Sequence, residues 1–457
     1  MEVDEFDFEV DESGLEFDEF DESEESEEEV MEYVEVVNGD DFFKQALALS
    51  FQQLGIQNPR QQQIEAVTAF VKEGKSVFLQ LPTGFGKSAC FQVLPSLFDR
   101  WKGTAPGHHV VLVICPLVAI SANQEKFLLT KGVQTCVLSE AKSEQWVELV
   151  SRSQVVFATP ESLLLKTGKL KKHADSLFRG DAIRDRCVAL VLDEAHCVPK
   201  WGDQFRREYG KLSTVHDALG TPVMALTATA VPAVVTYITN RFLGDHHLHI
   251  KEDPTRGNIT LSTKPKSHAD WSLVQLLLEL GEQKAQFPRT VLFFSTFDLL
   301  GEAQEKALEF VQRHPDLKGM FSSYHSLHSR EKLNEILTDM SSEEGGIRLL
   351  FASSAFGMGV DVPGIARVWH VGSPRDLDDY VQQIGRAARA EGSHAEAVLF
   401  NVKGASKVSP GMKAYLSNTT TCRQRIISAF FNPVKGAAEA SNVSTGGSCC
   451  DLCASKK

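Results

Sequence analysis

The chain contains 457 residues, 42% of them hydrophobic, and has a formal net charge of -14. A chain of this length and ordinary globular composition can form two or three domains, each with its own core. The apolar stretch at residues 110–120 is interrupted by Pro116 and is too short to cross a bilayer, so no membrane span is expected. The acidic N-terminus lacks the features of a secretory signal, so we expect an intracellular, reducing compartment in which cysteines are thiols or metal ligands.

An acidic segment opens the chain. Residues 1–41 hold 21 of the 61 Asp and Glu residues and no Lys or Arg, so the remaining 40 acidic residues face 47 basic ones. The rest of the chain is mildly basic, at about +7, a charge compatible with nucleic-acid binding. We expect the acidic segment to be disordered, because like charges repel and little apolar surface is available. Its phenylalanines fit docking to a protein partner or mimicry of nucleic-acid charge, and a solubilising tail is the alternative. They are Phe6, Phe8, Phe17 and Phe20.

Short apolar runs alternate with helix-length segments in two series. The first series lies at residues 77–79, 110–114, 155–157, 188–192 and 223–226, and the second at 290–294, 348–351, 367–370 and 397–400. This alternation predicts βαβ units, and therefore an α/β fold that occurs twice along the chain. The boundary between the two series is expected near residues 245–265, where polar residues, Pro254 and Gly257 interrupt the pattern.

A glycine-containing loop follows the first apolar run. Its sequence, LPTGFGKS at residues 81–88, stands between a predicted strand and a helix-compatible segment. This order is typical of phosphate-binding loops, in which backbone N–H groups face the phosphates, a lysine reaches the β- and γ-phosphates, and a serine ligates Mg²⁺. A glycine turn with a surface lysine is the alternative. The residues predicted to bind the nucleotide are Thr83, Gly84, Gly86, Lys87 and Ser88.

An acidic tetrapeptide, DEAH, follows the apolar run at residues 187–192. Open α/β sheets bind ligands at the carboxyl ends of their strands, where this tetrapeptide is expected to lie. Asp193 is therefore predicted to hold Mg²⁺, Glu194 to orient the attacking water, and His196 to sense the γ-phosphate. The alternative is an acidic strand end that leads into an amphipathic helix.

The run DEAHCVPKWGDQFR at residues 193–206 resembles the RecQ family of superfamily two DNA helicases. The resemblance covers roughly residues 42–453. It implies two tandem RecA-like domains with parallel sheets, at residues 42–250 and 251–403, between the acidic tail and a small zinc-binding helical subdomain at residues 404–457. It also implies an ATP-dependent 3'-to-5' DNA helicase that uses Mg²⁺ and acts in DNA repair or recombination, in the nucleus.

The resemblance assigns further residues in the first half of the chain. Arg60 and Gln63 match an adenine-recognising segment, although Ile56 replaces the aromatic residue expected there. Residues 225–230, ALTATA, resemble the motif that couples hydrolysis to domain movement, and a capped helix start is the alternative. The residues that the resemblance assigns to the backbone or bases of single-stranded DNA are Pro116, Thr159, Trp201, Phe205 and Arg206.

The loop at residues 200–206 departs from the family pattern at two positions. Lys200 stands where the family has Gln, and Asp203 stands where it has His. An added anion weakens contact with DNA, and the lysine partly offsets it. We therefore expect altered coupling between the loop and the acidic tetrapeptide.

The second half carries the run YVQQIGRAAR at residues 380–389. On a continuous helix Gln382, Arg386 and Arg389 would share one face, and the two guanidinium groups would reach across a cleft to the γ-phosphate. A helix with solvated arginines is the alternative. Residues 351–361 resemble a family segment that contacts nucleotide and DNA backbone, and Asp361 is assigned to the nucleotide site.

Four of the nine cysteines crowd the last 36 residues. Cys422, Cys450 and Cys453 resemble ligands of the family's Zn²⁺ subdomain, and Cys449 is expected to replace the ligand that is missing at Gly447. A degenerate or three-ligand cluster is the alternative. The five other cysteines lie in apolar segments and are predicted to be core residues.

The chain ends at Lys457, so we expect no winged-helix module and weak or partner-dependent unwinding. Two other functions stay open at this point. One is a DNA-stimulated ATPase or regulatory DNA-binding scaffold that docks partners through residues 1–41. The other is an RNA helicase with the same acidic tetrapeptide.

Overall fold

The computed structural model of the chain describes residues 39–181, 183–202, 207–265, 269–342, 344–357, 362–390, 392–401, 408–433 and 449–455. We predicted that residues 1–41 are disordered, and residues 1–38 lie outside the described ranges. At residues 39–41 the prediction was wrong, because they begin the first helix, α1, at Gly39–Gln53. Asp40 and Asp41 occupy its first turn, where carboxylates interact favourably with the positive end of the helix dipole.

The first lobe is built on a seven-stranded parallel sheet with the order β3-β4-β2-β5-β6-β1-β7. Strands β1, β2, β4 and β6 are buried throughout, as expected for a parallel sheet covered on both faces. The strands are β1 (Val77–Gln80), β2 (Val110–Ile114), β3 (Thr135–Val137), β4 (Val155–Ala158), β5 (Cys187–Leu192), β6 (Val223–Thr227) and β7 (Leu248–Lys251).

Helices connect these strands. After α1 they are α2 (Gln61–Lys72), α3 (Lys87–Gln92), α4 (Leu94–Lys102), α5 (Val118–Thr130), α6 (Trp146–Ser151), α7 (Pro160–Leu163), α8 (Lys172–Arg179), α9 (Cys197–Gly202), α10 (Ser213–Leu219) and α11 (Pro232–Ile238). The five cysteines expected in the core are all buried here: Cys90, Cys115, Cys136, Cys187 and Cys197.

The second lobe is built on a six-stranded parallel sheet with the order β10-β11-β9-β12-β13-β8. Its strands are β8 (Ile259–Pro265), β9 (Thr290–Phe294), β10 (Phe321–Tyr324), β11 (Leu349–Ala352), β12 (Arg367–Val371) and β13 (Ala395–Asn401). Its helices are α12 (Ala269–Gln283), α13 (Phe297–Arg313), α14 (Arg330–Ser341) and α15 (Leu377–Ile384). The predicted α/β fold with two parallel sheets is confirmed.

Four strands were missed by the sequence pattern. β3, β7, β8 and β10 lie at or next to sheet edges and carry polar or half-exposed residues, so they lack the continuous apolar run of a central strand. The stretch at residues 245–265, predicted as an interruption, therefore contains the last strand of the first sheet and the first strand of the second.

Three short helices at the C-terminal end pack on the second lobe. They are α16 (Pro410–Ser417), α17 (Arg423–Phe431) and α18 (Asp451–Ala454). Met412, Tyr415 and Ile427 join the same buried cluster as Ile259 and Leu261 of β8. The Arg423 guanidinium donates to both carboxylate oxygens of Asp451, at 2.7 and 2.9 Å. These contacts fix the C-terminal segment against the sheet. Among the described helices, none combines the length and apolar character needed to cross a bilayer.

Candidate functional site

The predicted nucleotide residues converge at the carboxyl ends of three neighbouring strands. β1, β5 and β6 lie side by side in the first sheet, and each ends at the start of a segment singled out in the sequence. Residues 81–88 follow β1, the acidic tetrapeptide follows β5, and residues 228–230 follow β6. Parallel strands place these segments at one edge, where α/β sheets bind ligands.

The loop after β1 has the backbone shape of a phosphate-binding loop. Gly84 and Gly86 have φ angles of 77° and 82°, which favour glycine. Lys87 is the first residue of α3, and its Nζ donates to the carbonyl oxygens of Leu81 at 2.9 Å and Pro82 at 3.1 Å. Burial lowers the pKa of Lys87, and the nearby carboxylates of Glu194 and Asp193 oppose that shift.

The carboxylates of Asp193 and Glu194 form a set of oxygens suited to a divalent cation. Asp193 accepts from the Glu194 backbone N–H at 3.0 Å and from Gln124 Nε2 at 3.2 Å. Burial, and then the Glu194 charge, raise the pKa of Asp193 to about 7, against the opposing effect of Lys87. Within the described residues, Glu194 Oε2 is buried without a hydrogen-bond partner. A hard cation such as Mg²⁺ prefers oxygen ligands and favours the ionised carboxylates, so these residues fit it.

His196 connects the acidic tetrapeptide to the loop after β6. Its Nδ1 lies 3.0 Å from Thr227 Oγ1 and 3.4 Å from Glu194 Oε2. The Thr227 hydroxyl in turn donates to the Thr229 carbonyl at 2.8 Å. The alternative of a helix start at residues 225–230 is wrong, because Thr227 ends strand β6.

Gln382 of the second lobe contacts this group directly. Its Nε2 lies 3.0 Å from His196 Nε2 and 3.0 Å from Thr229 Oγ1, and all three side chains are buried. A side chain of α15 therefore contacts the acidic-tetrapeptide segment in the other lobe. Any movement of one lobe against the other must break or remake this contact.

Arg386 and Arg389 approach the site from irregular backbone, so the prediction of one continuous helix was wrong. α15 ends at Ile384 with Gly385 as its C-cap, and Ala388 has a φ of 49° that no α-helix allows. Arg386 Nη2 donates to the Gly357 carbonyl at 2.6 Å. The Cγ of Arg389 lies 3.7 Å from the position that a Cβ on Gly84 would take. Both arginines still belong to the region around the phosphate loop.

Gly385 makes a close contact between the lobes. Its carbonyl accepts from Thr83 Oγ1 at 2.9 Å, and a Cβ at this position would lie 2.3 Å from that hydroxyl.

We expect Gly385→Ala to disfavour the closed arrangement by roughly 1–3 kcal/mol, and so to lower ATPase kcat/KM about tenfold or more. Gly301→Ala is the matched control, since a Cβ there meets nothing within 4 Å. Equal rates for both variants would contradict this packing argument.

The predicted adenine-recognising residues lie against the phosphate loop. Gln63 Oε1 accepts from the Arg60 backbone N–H at 2.7 Å, and its Nε2 donates to the Gly86 carbonyl at 2.9 Å. The Arg60 guanidinium stacks 4.4 Å above the Phe85 ring. Gln63 is thus placed to link base recognition to the shape of the loop.

Four cysteines at the C-terminal end form a cluster of thiols. The sulfurs of Cys422, Cys449, Cys450 and Cys453 all lie within 4.8 Å of one another. Cys422 Sγ is 3.5 Å from Cys449 Sγ and 3.9 Å from Cys450 Sγ. Four thiolates around tetrahedral Zn²⁺ lie about 3.8 Å apart, given Zn–S bonds of about 2.3 Å. The donor set therefore fits a structural zinc ion, with Cys449 included in it. Gly447 lies outside the described residues.

Comparison with known proteins agrees with this geometry. Residues 60–236 match the DEAD/DEAH box helicase family model, and residues 271–391 match the helicase conserved C-terminal domain. The chain is 29% identical over 350 residues to the ATP-dependent DNA helicase hus2/rqh1 of Schizosaccharomyces pombe. It is 27% identical over 429 residues to the ATP-dependent DNA helicase Q1 of Mus musculus, and 26% identical over 368 residues to the RecQ-like DNA helicase BLM of Xenopus laevis.

This chain is a helicase with a DEAD/DEAH box domain and a helicase C-terminal domain, and it is similar to RecQ-family helicases. The matches cover 75%, 88% and 78% of the chain, but 24%, 62% and 25% of the three relatives, so the chain spans between a quarter and about three fifths of their length. The two matched domains are those of an ATP-hydrolysing helicase.

Solved structures share the fold. The Mycobacterium smegmatis helicase Lhr, bound to single-stranded DNA and AMP-PNP, matches with a TM-score of 0.60 and 19% identity, over 78% of this chain and 47% of that one. The DEAD-box helicase Mss116, bound to single-stranded RNA, matches with a TM-score of 0.64 and 16% identity, over 80% and 75% of the two chains. Both support two tandem RecA-like lobes.

The structure describes only part of the predicted DNA surface. Pro116 is buried after β2, and Thr159 caps α7, where its hydroxyl accepts from the Ser162 N–H at 3.3 Å. Trp201 belongs to α9, but its side chain is not among the parts of the chain that the structure describes. Phe205, Arg206 and Asp361 also lie outside the described residues.

Arg256 is a candidate site residue that the sequence pattern missed. It lies in the segment that connects β7 to β8, and its guanidinium donates to the Thr83 carbonyl at 3.4 Å and to the Ala388 carbonyl. Asn258 Nδ2 donates to the same Ala388 carbonyl at 3.0 Å. Burial, and then the charges of Arg389 and Arg60, lower the pKa of Arg256. No local motif marks this residue, because its partners are backbone oxygens that lie far away in the sequence.

We expect Arg256→Gln to reduce ATPase turnover roughly tenfold, since hydrogen bonds from a charged group contribute about 1.5–3 kcal/mol. The change releases the segment before Arg389 from the phosphate loop. Arg367→Gln is the control, because Arg367 pairs with Glu279 at 2.9 Å inside the second lobe. Steady-state ATPase measurements, with thermal unfolding as a check on folding, give the answer. A wild-type rate in Arg256→Gln would contradict this role.

Proposed function

We propose that this protein is an ATP-dependent DNA helicase that translocates 3'-to-5' on single-stranded DNA and unwinds duplex DNA in repair or recombination. One observation carries the proposal. The Gln382 side chain of the second lobe lies within hydrogen-bonding distance of His196 and Thr229 in the first lobe. This contact is next to Lys87, Asp193 and Glu194. ATP bound there contacts both lobes, so its hydrolysis can change their separation.

The chemistry divides among residues of both lobes. Ser88 and Asp193 would hold Mg²⁺, which when bound would neutralise charge on the phosphates. Glu194 orients and deprotonates the attacking water, and Lys87 binds the β- and γ-phosphate oxygens. We assign the remaining nucleotide contacts to Arg60, Gln63, Thr83, Gly84, Gly86, His196, Asp361, Gln382, Arg386 and Arg389.

Arg386 and Arg389 stabilise the negative charge that develops as the γ-phosphate leaves. They come from the second lobe, so hydrolysis requires closure of the lobes. Reopening after hydrolysis then provides the step along the strand.

We assign DNA contact to Pro116, Thr159, Trp201, Phe205 and Arg206. Stacking of bases on aromatic side chains and contacts to phosphates need no particular base sequence, which suits translocation along a strand. The named relatives are DNA helicases, which supports DNA, single-stranded or branched, as the substrate. The 3'-to-5' polarity rests on the family resemblance.

We also assign a structural Zn²⁺ to Cys422, Cys449, Cys450 and Cys453, and nuclear localisation to the protein. The cluster of four free thiols fits a reducing compartment.

Stimulation of ATP hydrolysis by nucleic acid tests the choice of substrate. We expect single-stranded DNA to raise the ATPase rate strongly, and single-stranded RNA of the same length and base sequence to raise it much less. Equal stimulation by both polymers would favour an RNA helicase, and stimulation by neither would contradict a translocating motor.

A second candidate function is a DNA-stimulated ATPase or regulatory scaffold that unwinds little and docks protein partners through residues 1–41. The acidic, phenylalanine-containing sequence of that segment favours it. Strand displacement by a chain that lacks residues 1–41 discriminates between the two. Displacement that matches the full chain's and depends on ATP would count against the scaffold.

A further inference from the structure

Lys200 lies at the centre of an ionic cluster between the two lobes. It belongs to α9, the helix that follows the acidic tetrapeptide. Its Nζ lies 2.7 Å from Asp379 Oδ1, 3.1 Å from Asp378 Oδ2 and 3.4 Å from Asp376 Oδ2. These aspartates are at the start of α15, in the second lobe. One ammonium group thus faces three carboxylates across the boundary between the lobes.

The cluster lies one helical turn from the Gln382 contact. On α15, Gln382 follows Asp378 by four residues, and residues four apart on a helix are neighbours on one face. On the other side of the contact, His196 lies immediately before α9, the helix that carries Lys200. The ionic contact and the Gln382–His196 contact therefore join the same two segments, and one cannot separate without strain on the other.

The charges make the cluster favourable only when the lobes are together. Burial and the Asp378 charge raise the pKa of Asp379, and Lys200 opposes that effect. The carboxylates in turn raise the pKa of Lys200, against the effect of burial. Without the ammonium group, three carboxylates would repel one another in a partly buried place. With the lobes apart, water and salt would screen each charge separately.

Another ion pair between the lobes has a different character. Arg330 of α14 pairs with Glu140, and their side chains are 52% and 31% exposed. The Lys200 side chain is 29% exposed, and those of its three partners are 20% to 34% exposed. Exposed isolated pairs contribute little, whereas networks with several charges contribute more. The Lys200 cluster is thus the stronger candidate for control of closure.

We propose that Lys200, Asp376, Asp378 and Asp379 form an ionic latch that favours the closed, ATP-hydrolysing arrangement of the lobes. The proposal rests on the proposed function, namely that closure positions Gln382, Arg386 and Arg389 for hydrolysis and that Trp201 contacts the DNA strand. Lys200 acts as a positioning residue through α15. A neutral side chain at position 200 cannot form the latch, because it leaves the three carboxylates without a counter-charge.

The latch also connects closure to the strand-contacting segment. Lys200 immediately precedes Trp201 on α9. A shift of α9 when a strand binds would change the distance between Lys200 and the three carboxylates. DNA binding then alters closure of the lobes through the Lys200 cluster as well as through the acidic tetrapeptide. Salt weakens closure because it screens the charges of the cluster.

The distance between the lobes in the full chain tests the latch without dependence on hydrolysis. One fluorescent label is placed on an exposed residue of each lobe, and energy transfer is measured at low and high ionic strength, with and without a non-hydrolysable ATP analogue. The variants are Lys200→Gln and the charge exchange Lys200→Asp with Asp379→Lys. The control is Lys284→Gln, which removes a 2.9 Å ion pair with Asp316 inside the second lobe.

We expect Lys200→Gln to shift the closed-to-open ratio roughly fivefold or more towards the open state, the lower range of measured coupling between sites. The charge exchange restores most of the closed population, and high salt reduces closure of the wild type towards that of Lys200→Gln. The control behaves as the wild type. Equal closure and equal salt dependence in wild type and Lys200→Gln would overturn the latch. If closure depends on Lys200 as expected but the protein has no DNA-stimulated ATPase activity, only the proposed function is overturned.

Discussion

Lys87→Ala and Glu194→Gln are each expected to abolish DNA-stimulated ATP hydrolysis, by different routes. Lys87 is buried beside Asp193 and Glu194, and its removal takes away the positive charge that we assign to the β- and γ-phosphates. Glu194→Gln keeps the size of the side chain but removes the carboxylate that we propose to activate water. We expect losses on the order of 10²- to 10⁴-fold, the range for general acid–base catalysis.

Nucleotide binding separates the two variants. Lys87→Ala should bind an ATP analogue weakly, whereas Glu194→Gln should bind it as well as the wild type and stay closed on it. Lys75→Ala is the control, because Lys75 is exposed and pairs with Glu73 at 2.7 Å. An ATPase rate in either site variant close to that of Lys75→Ala would contradict the assignment of the site.

Removal of zinc is expected to unfold the C-terminal segment. The Cys449 carbonyl accepts from the Leu261 N–H at 3.1 Å, and Asp451 accepts from the Thr263 N–H at 3.1 Å, so the cysteine cluster is tied to β8. Loss of a metal is among the few changes that destabilise by more than about 4 kcal/mol. We expect one zinc ion per chain by elemental analysis, and a lower midpoint of thermal unfolding after chelation.

Single substitutions decide how many thiols hold the metal. Cys449→Ser and Cys450→Ser should both lose zinc, because all four sulfurs lie within 4.8 Å of one another. Cys136→Ala, a change in the core of the first lobe, should keep it. Full zinc occupancy in Cys449→Ser would favour the three-ligand cluster. A wild-type chain that contains no zinc, and whose midpoint of thermal unfolding does not change with chelators, would contradict the zinc site.

The central strands could be predicted from sequence because burial on both faces demands continuous apolar runs. β5 is predicted to within one residue for this reason, and the segments that follow β1, β5 and β6 meet because parallel strands end at one edge. Edge strands such as β7 could not be found in this way, since half-exposed positions tolerate His and Lys.

Features that depend on contacts between residues far apart in the sequence could not be predicted from the sequence. The pattern at residues 380–389 suits a helix, but α15 ends at Ile384 and Ala388 has a φ of 49°. The contact of Gly385 with Thr83, where a Cβ would lie 2.3 Å from the hydroxyl, joins residues about three hundred positions apart. Lys200 was interpreted as a compensating charge near DNA. Its partners lie nearly two hundred positions away, and only the fold brings them together.

Strand displacement by the full chain tests the central claim most directly. Duplexes that carry a single-stranded 3' overhang or a 5' overhang are compared, with ATP and with a non-hydrolysable analogue, for the wild type and Glu194→Gln. We expect the wild type to displace the strand only with ATP and only from the 3'-overhang substrate, and Glu194→Gln to displace none. Displacement from the 5' overhang alone, displacement without hydrolysis, or the absence of displacement despite DNA-stimulated ATPase would contradict a 3'-to-5' DNA helicase.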